Sequence, residues 1–223
     1  MTGQPISLVV LISGNGSNLQ AIMDAIKGGE LPARIRAVIS NQADAYGLER
    51  ARRGDINTAV LRHRDYPDRT AYDAVLQELI DSYQPDLVVL AGFMSILTPT
   101  LAVHYAGRML NIHPSLLPAF TGLNTHQRAL DAGVPEHGAS VHFVTAELDS
   151  GPVIIQARVP IAPEDTAATL AAKVQAQEHR IYPLAIRWFA QGRIRTQDHR
   201  ALFDGRPLKR PINYKPATQT PLY

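Results

Sequence analysis

The chain places an asparagine and a histidine two residues apart in a short apolar run that ends at a proline. The run "MLNIH" at 109–113 is typical of a buried strand, and Pro114 ends its ladder. Successive side chains of a strand point to opposite faces, so Asn111 and His113 share one face. A neutral amide donor beside a titratable donor suits a developing oxyanion. The alternative is that Asn111 caps the strand end while His113 satisfies a loop carbonyl.

A carboxylate that could complete this pair is Asp149, in the segment "ELDSGP" between two later apolar runs. If that turn reaches His113, the carboxylate would favour the imidazolium form of the ring. The alternative is that Asp149 serves only the turn, because Asp-Ser-Gly-Pro is good turn chemistry.

A glycine loop, "SGNGSN" at 13–18, joins the first apolar run to the first helical pattern. Glycines let a backbone approach a ligand, and a helix N-terminus offers free N–H groups, so the loop favours phosphate. It lacks the Gly-Lys-Ser/Thr ending of a P-loop, and Leu19 stands where a dinucleotide fingerprint has its third glycine. A monophosphate therefore fits better than NAD or ATP. The alternative is a tight turn with Ser17 or Asn18 as the helix N-cap.

Other kinds of site find little support in the sequence. Cysteine is absent, which excludes disulfides, thiolate zinc sites and cysteine nucleophiles. His137 and His142 are five apart in a presumed strand, so they point to opposite faces and do not form a metal site. Gly-x-Ser-x-Gly is absent, so a serine hydrolase is unsupported. We interpret the arginines between 52 and 69 as a solvated face, with a carboxylate-binding arginine as the alternative.

The composition is typical of a globular protein with a sizeable core. The 223 residues are 45% hydrophobic and 19% charged, with a net charge of +2. This near balance fits anionic small molecules as well as it fits nucleic acid. The run "ISLVVLI" is too short to span a membrane and has no basic leader, so we expect a cytoplasmic location.

Apolar runs alternate with helical patterns in the first half, which predicts βαβ units and a parallel sheet. The predicted strands lie at 6–13, 35–40, 58–61, 87–92 and 109–113, and the predicted helices begin near 18, 45, 69 and 98.

The second half predicts a different arrangement. The runs at 139–144 and 152–160 lie a turn-length apart, which indicates an antiparallel addition, and a long helix follows from near Asp165. We predict a Rossmann-like α/β fold, a mostly parallel twisted sheet flanked by helices, with this antiparallel addition. Residues 1–195 form one domain, and 196–223 form a partly ordered, loosely held C-terminal extension.

Several segments together resemble a known family. They are "LISGNGSNLQAI", "LAGFMSIL", "NIHPSLLP", "HGASVHFVTAELDSGPVI" and "QEHRIYPL", in this order over most of residues 6–190. "NIHPSLLP" with "LDSGP" resembles the folate-dependent formyltransferases, including methionyl-tRNA formyltransferase and formyltetrahydrofolate deformylase. "SGNGSNLQ" narrows the resemblance to the glycinamide ribonucleotide formyltransferases of purine synthesis. The length leaves no room for the additional domains of the other two enzymes.

The resemblance implies a role for each matching position. The catalytic residues would be Asn111, His113 and Asp149. The substrate's phosphate would lie against Gly16, Ser17, Asn18, Leu19 and Gln20, and its ribose against Glu178. The folate would contact Arg69, Met94, Ser95, Ile96, Leu97, Asn111, Thr145, Ala146, Glu147, Leu148 and Asp149. Ser95 replaces an arginine that is usual in this family, and Ala146 replaces a common acidic residue.

The implied reaction is formyl transfer from 10-formyltetrahydrofolate to the amine of 5′-phosphoribosylglycinamide, through a tetrahedral intermediate that Asn111 and His113 stabilise. Folate is then a co-substrate, and we expect no tightly bound cofactor, metal, nucleic acid or membrane. The protein would be a monomer or homodimer with small-molecule substrates. One alternative is a formyltetrahydrofolate deformylase, in which water replaces the amine. The other is a non-catalytic module that binds a sugar phosphate or nucleotide.

Overall fold

A computed structural model of the protein describes residues 4–215. Its strands are β1 (Ile6–Ile12), β2 (Ala33–Ser40), β3 (Asn57–Val60), β4 (Leu87–Leu90), β5 (Met109–His113), β6 (Glu136–Phe143), β7 (Val153–Pro160), β8 (Ile194–Gln197), β9 (Arg200–Phe203), β10 (Arg206–Pro207) and β11 (Ile212–Asn213). Its α-helices are α1 (Ser17–Lys27), α2 (Tyr46–Arg53), α3 (Arg69–Ser82), α4 (Pro99–His104), α5 (Thr125–Asp131) and α6 (Ala167–Ala190).

Eight of the strands in the described region form one twisted sheet in the order β11-β7-β6-β5-β4-β1-β2-β3. The pairs from β3 through β5 are parallel, whereas β6 runs antiparallel to both β5 and β7. The predicted fold class is therefore confirmed, including the antiparallel addition in the second half.

Helices cover both faces of this sheet because its strands are apolar on both sides. In β1, alternate residues bury against different layers: Leu8 and Val10 pack with α1, α2 and α6, and Val9 and Leu11 pack with α3 and α4. The helix α3 follows the same rule, since Tyr72, Leu76 and Ile80 are buried against the sheet.

The strand order reverses beside β1. After β1 the chain continues to β2 and β3 on one side and then returns to β4 on the other. Loops at the carboxyl ends of β1 and β4 therefore diverge, and such a crevice is where open α/β sheets bind ligands. Ser13 joins the two loops, because its N–H donates to Gly92 O (3.1 Å) and its Oγ accepts from the Met94 N–H (2.7 Å).

The last described residues attach to the main sheet. The strand β11 pairs with β7 in parallel, with Ile212 opposite Ile155, and the Tyr214 N–H donates to Gln156 O (2.7 Å). The sheet edge thus supplies backbone partners for residues 212–214 of the predicted extension, and the partly ordered state of the extension stays a prediction. Residues 216–223 lie outside the described region, and the domain boundary at 195 stays a prediction.

None of the helices within residues 4–215 is long and apolar enough to cross a membrane.

Candidate active site

The end of β5 is paired with a strand on each side, which fixes the direction of its polar side chains. Asn111 lies opposite Leu90 of β4 and opposite His142 of β6, and His113 lies opposite Ser140. The predicted strand end and its shared polar face are therefore present. His113 is 5% exposed, so its ring is largely withdrawn from solvent.

A buried tyrosine of α6 ties that helix to the same strand ends. The hydroxyl of Tyr182 lies 2.9 Å from Leu90 O and 3.0 Å from Leu110 O, to either of which it can donate. Burial raises the pKa of Tyr182 well above its ordinary value, so the hydroxyl stays a donor. This contact fixes α6 against the sheet directly before Asn111.

The turn that carries Asp149 reaches the end of β5. Oδ1 of Asp149 lies 3.5 Å from Nδ1 of His113, and its Oδ2 accepts a hydrogen bond from the Gly122 N–H at 2.8 Å. Asp149 has a φ of 53°, a left-handed conformation that is strained for a residue with a side chain. The sequence could not establish this proximity, and the structure does.

The other ring nitrogen of His113 also has a partner. Because a carbonyl oxygen only accepts, Nε2 of His113 carries a hydrogen and donates it to Phe120 O at 2.9 Å. The alternative interpretation, in which His113 satisfies a loop carbonyl, describes this contact correctly. In this conformation the ring therefore bridges the loop at 120 and the turn at 149.

Sequence reasoning considered His142 only as a metal ligand and missed its contact with Asn111. Nδ1 of His142 donates to Phe143 O (3.0 Å), so its Nε2 accepts a hydrogen bond from the Asn111 amide (3.1 Å). Burial lowers the pKa of His142 to about 4, and it is therefore neutral at pH 7. The neutral ring fixes the orientation of the Asn111 amide. The second N–H of that amide remains to donate a hydrogen bond to a substrate oxygen.

The buried His142 predicts a loss of stability in mild acid. Its pKa is about 4 in the folded protein against 6.5 ordinarily, so the unfolded chain binds more protons as the pH falls through 6.5. We expect its share of the unfolding free energy, about 3 kcal/mol, to be lost between pH 6.5 and 4. Urea unfolding across this range should show a shallower pH dependence for His142→Gln. An equal slope in both proteins would contradict this assignment.

A cavity of about 700 Å³ opens beside Asn111 and His113. It is lined by every predicted folate-binding residue except Arg69, namely Met94, Ser95, Ile96, Leu97, Asn111, Thr145, Ala146, Glu147, Leu148 and Asp149. Large apolar side chains at its mouth are exposed, among them Met94 at 69% and Leu123 at 72%. An apolar surface beside polar groups is typical of a small-molecule site.

The cavity differs from the predicted folate site in two respects. Arg69 is exposed at the start of α3 and does not line this cavity, so its role stays a prediction. The segment 122–126 lines the cavity but was missed, because it is a loop and the start of α5, whose path no hydrophobic pattern encodes.

The glycine loop presents the open N-terminus of α1. Its N-cap is Gly16 with a φ of 74°, and no side chain within the described region caps the helix. The interpretation of Ser17 or Asn18 as N-cap is therefore wrong, because the turn needs a left-handed residue. The first N–H groups, at 17–19, have no partner within the helix, whereas Gln20 N donates to Gly16 O (2.9 Å). Leu19 is fully buried, and its side chain belongs to the hydrophobic core.

The predicted ribose residue lies beside this loop. Oε2 of Glu178 accepts a hydrogen bond of 2.7 Å from the Asn18 amide, and both side chains are buried. Burial raises the pKa of Glu178, and the Asn18 hydrogen bond opposes that rise. Oδ1 of Asn18 is buried and has no hydrogen-bond partner among residues 4–215. Ser17 and Gln20 also line a second cavity of about 830 Å³ between α1 and α6.

The described residues include no group of three or more metal-ligating side chains arranged to hold a metal ion.

Comparisons with known proteins agree along most of the chain. The family model described as formyl transferase matches residues 6–186. The phosphoribosylglycinamide formyltransferase of Escherichia coli K12 is 57% identical over 91% of this chain and 96% of its own length. The solved structure of the Coxiella burnetii phosphoribosylglycinamide formyltransferase has a TM-score of 0.91 at 55% identity, covering 95% of this chain and 100% of that chain. A formyltetrahydrofolate deformylase of Pseudomonas syringae is more distant, with 29% identity and a TM-score of 0.84 over 91% of this chain and 67% of its own.

Proposed function

The chain belongs to the formyl transferase family, and we propose that its reaction takes place where Asn111, His113 and Asp149 meet the 700 Å³ cavity. It transfers the formyl group of 10-formyltetrahydrofolate to the amine of phosphoribosylglycinamide in de novo purine biosynthesis, the activity of its close relatives. The observation that carries the site assignment is the convergence of an amide, an imidazole and a carboxylate on this one cavity.

In the proposed mechanism, the amine of phosphoribosylglycinamide attacks the formyl carbon of the folate. A C–N bond forms, and negative charge develops on the former carbonyl oxygen. The second hydrogen of the Asn111 amide and a ring N–H of His113 would donate to that oxygen. The Phe120 carbonyl now accepts from Nε2 of His113, so the formyl oxygen would replace it on the same donor.

Collapse of the intermediate requires one proton transfer. The bond between the formyl carbon and N10 of the folate breaks, and a proton from the attacking amine ends on N10. Asp149, whose Oδ1 lies 3.5 Å from Nδ1 of His113, would orient the ring and could relay that proton through water. Binding both substrates in one crevice supplies the orientation that the reaction needs.

The two substrates would enter from adjacent loops of the crevice. The phosphate would accept hydrogen bonds from the N–H groups of residues 17–19, where the helix dipole favours an anion. Glu178 would accept a hydrogen bond from a ribose hydroxyl. The folate would occupy the apolar cavity formed by the loops at 94–97 and 145–149. Ser13 joins the loops on which the two substrates would lie.

The open N-terminus of α1 argues against the deformylase alternative, because a hydrolase has no phosphorylated second substrate to hold. The solved deformylase is also the more distant neighbour, at 29% identity. A non-catalytic binding module would have no need for Asn111, His113 and Asp149 at one point.

Folate as a co-substrate follows from the family, whereas the expectation of no tightly bound cofactor and no metal stays a prediction. The substrates are small molecules. A monomeric or homodimeric state, a cytoplasmic location and the lack of nucleic-acid or membrane partners also stay predictions.

The proposed function predicts a specific product. When the formyl group of the folate carries ¹³C, mass spectrometry should find the label as a formamide on the glycine nitrogen of the ribonucleotide. Labelled formate as the main product would instead mean hydrolysis.

The placement of Glu178 predicts a selective defect in substrate binding. Glu178→Ala removes a charged acceptor, so the KM for phosphoribosylglycinamide should rise by about 10- to 100-fold, with a near-normal KM for the folate. Steady-state kinetics with each substrate varied in turn measures both constants. Glu178→Gln keeps an acceptor beside Asn18 and should show a smaller increase. An unchanged KM in Glu178→Ala would show that Glu178 does not bind phosphoribosylglycinamide.

A further inference from the structure

The glycine loop rests on the start of α2, an element to which the predicted site assigns no role. The Gly47 N–H donates to Gly14 O at 3.0 Å. A Cβ on Gly16 would lie 2.6 Å from the Gly47 Cα, and one on Gly47 would lie 2.5 Å from Cδ1 of Ile12. The backbones of the loop and of α2 therefore pack against each other at Gly16 and Gly47 without room for a side chain at Gly16.

Arg50 of α2 forms two hydrogen bonds with this loop and one with the first turn of α1. Nε and one terminal nitrogen of Arg50 donate to the backbone oxygen (2.9 Å) and the side-chain oxygen (3.0 Å) of Asn15. Its other terminal nitrogen donates to Oε1 of Gln20 at 3.2 Å. Asn15 precedes the N–H groups of residues 17–19, which have no partner within α1, and Gln20 follows them. Arg50 therefore joins the two ends of the segment that presents these groups.

The guanidinium of Arg50 is itself held in place. It lies over the ring of Tyr46, with its central carbon 4.8 Å from the ring centroid. Arg53 lies 5.9 Å from the same ring, but its Nε donates to Glu49 (3.1 Å) instead of to the loop. The two arginines share a helix and an aromatic neighbour, yet Arg50 is the one that contacts the glycine loop.

We propose that Arg50 is a positioning residue for the phosphate subsite, acting through Asn15 and Gln20 to fix the spacing of the backbone N–H groups. This inference rests on the proposed function, in which those groups bind the phosphate of the ribonucleotide. A planar guanidinium can satisfy all three acceptors at once, whereas an ammonium on a flexible stem cannot hold the same fork. The clamp therefore requires arginine at this position.

Two variants distinguish the effect of this clamp, the hydrogen bonds from Arg50 to Asn15 and Gln20, from the effect of the positive charge of Arg50. Arg50→Met removes both, and Arg50→Lys keeps the charge alone. In both, we expect the KM for phosphoribosylglycinamide to rise by about 10- to 100-fold, with kcat and the KM for 10-formyltetrahydrofolate within about twofold of wild type. Competitive inhibition by inorganic phosphate should weaken in parallel. Arg53→Met is the matched control and should leave all these constants unchanged.

Three results would overturn the proposal. A normal KM in Arg50→Met would show that the loop does not need the clamp. A normal KM in Arg50→Lys would show that charge alone suffices. An equal loss in kcat and in both KM values, with a lower melting temperature, would mean a general structural role. Wild-type protein that forms no formylated ribonucleotide would instead refute the proposed function, so the two failures are distinguishable.

Discussion

Replacing His113 by alanine is expected to lower kcat by about 10²- to 10³-fold, with little change in either KM. The reason is that a ring N–H of His113 would donate to the oxygen that becomes negative in the tetrahedral intermediate. This interaction strengthens as charge develops, so its loss raises the barrier more than it weakens binding. Steady-state kinetics with both substrates measures the two effects separately.

A surface histidine provides the control for this substitution. His104 pairs with Asp81 at 3.0 Å on the exposed surface of α4 and does not line the 700 Å³ cavity, so His104→Ala should retain normal turnover. His113→Ala should also keep its competitive inhibition by inorganic phosphate, because the N–H groups of residues 17–19 are untouched. Near-normal kcat in His113→Ala would rule out the proposed role of this ring.

Asp149→Asn is expected to lower kcat by about 10²-fold or more, because it removes the carboxylate beside His113 that is proposed to relay the proton. An asparagine retains an oxygen for the Gly122 N–H and tolerates the left-handed backbone, so the turn should persist. The expected defect is therefore in turnover and not in folding. A pH-rate profile and a thermal unfolding curve of the same preparation distinguish the two.

The chain offers a closely matched control for Asp149. Asp55 has a φ of 54°, nearly the same as Asp149, but lies exposed after α2. Asp55→Asn makes the same chemical change in the same backbone conformation and should leave kcat unchanged. If both variants lose turnover equally, or if neither does, the assigned role of Asp149 is wrong.

Local patterns in the sequence predicted those site residues whose positions depend on one strand or helix alone. The apolar run before Asn111 and the proline after His113 identified a strand end with two polar groups on one face. The alternation of strands and helices identified the sheet and therefore the edge at which its ligands bind. These features depend on residues near each other in the chain, so periodicity is enough to find them.

The parts that sequence reasoning missed depend on contacts between distant segments. His142 fixes Asn111 only because β6 pairs with β5 in one particular register. Arg50 reaches the glycine loop because α2 packs on it through Gly47, a contact that no local pattern encodes. The attachment of β11 to β7 was missed for the same reason.

Resemblance to a known family supplied a role for Asp149 that hydrophobic periodicity and turn motifs alone did not supply. Asp-Ser-Gly-Pro on its own is an ordinary turn, and only the family motif assigned Asp149 a place beside His113. The structure then brought these two residues to 3.5 Å of each other. The catalytic roles remain predictions until the variants are measured.

The requirement for the second substrate is the most direct test of the proposed transferase activity. Purified protein is mixed with 10-formyltetrahydrofolate, with and without phosphoribosylglycinamide, and the production of tetrahydrofolate is followed. We expect production only when the ribonucleotide is present, because its amine is the nucleophile. Equal production without the ribonucleotide would mean a deformylase, and no production in either mixture would leave a binding protein; each result would refute the transferase.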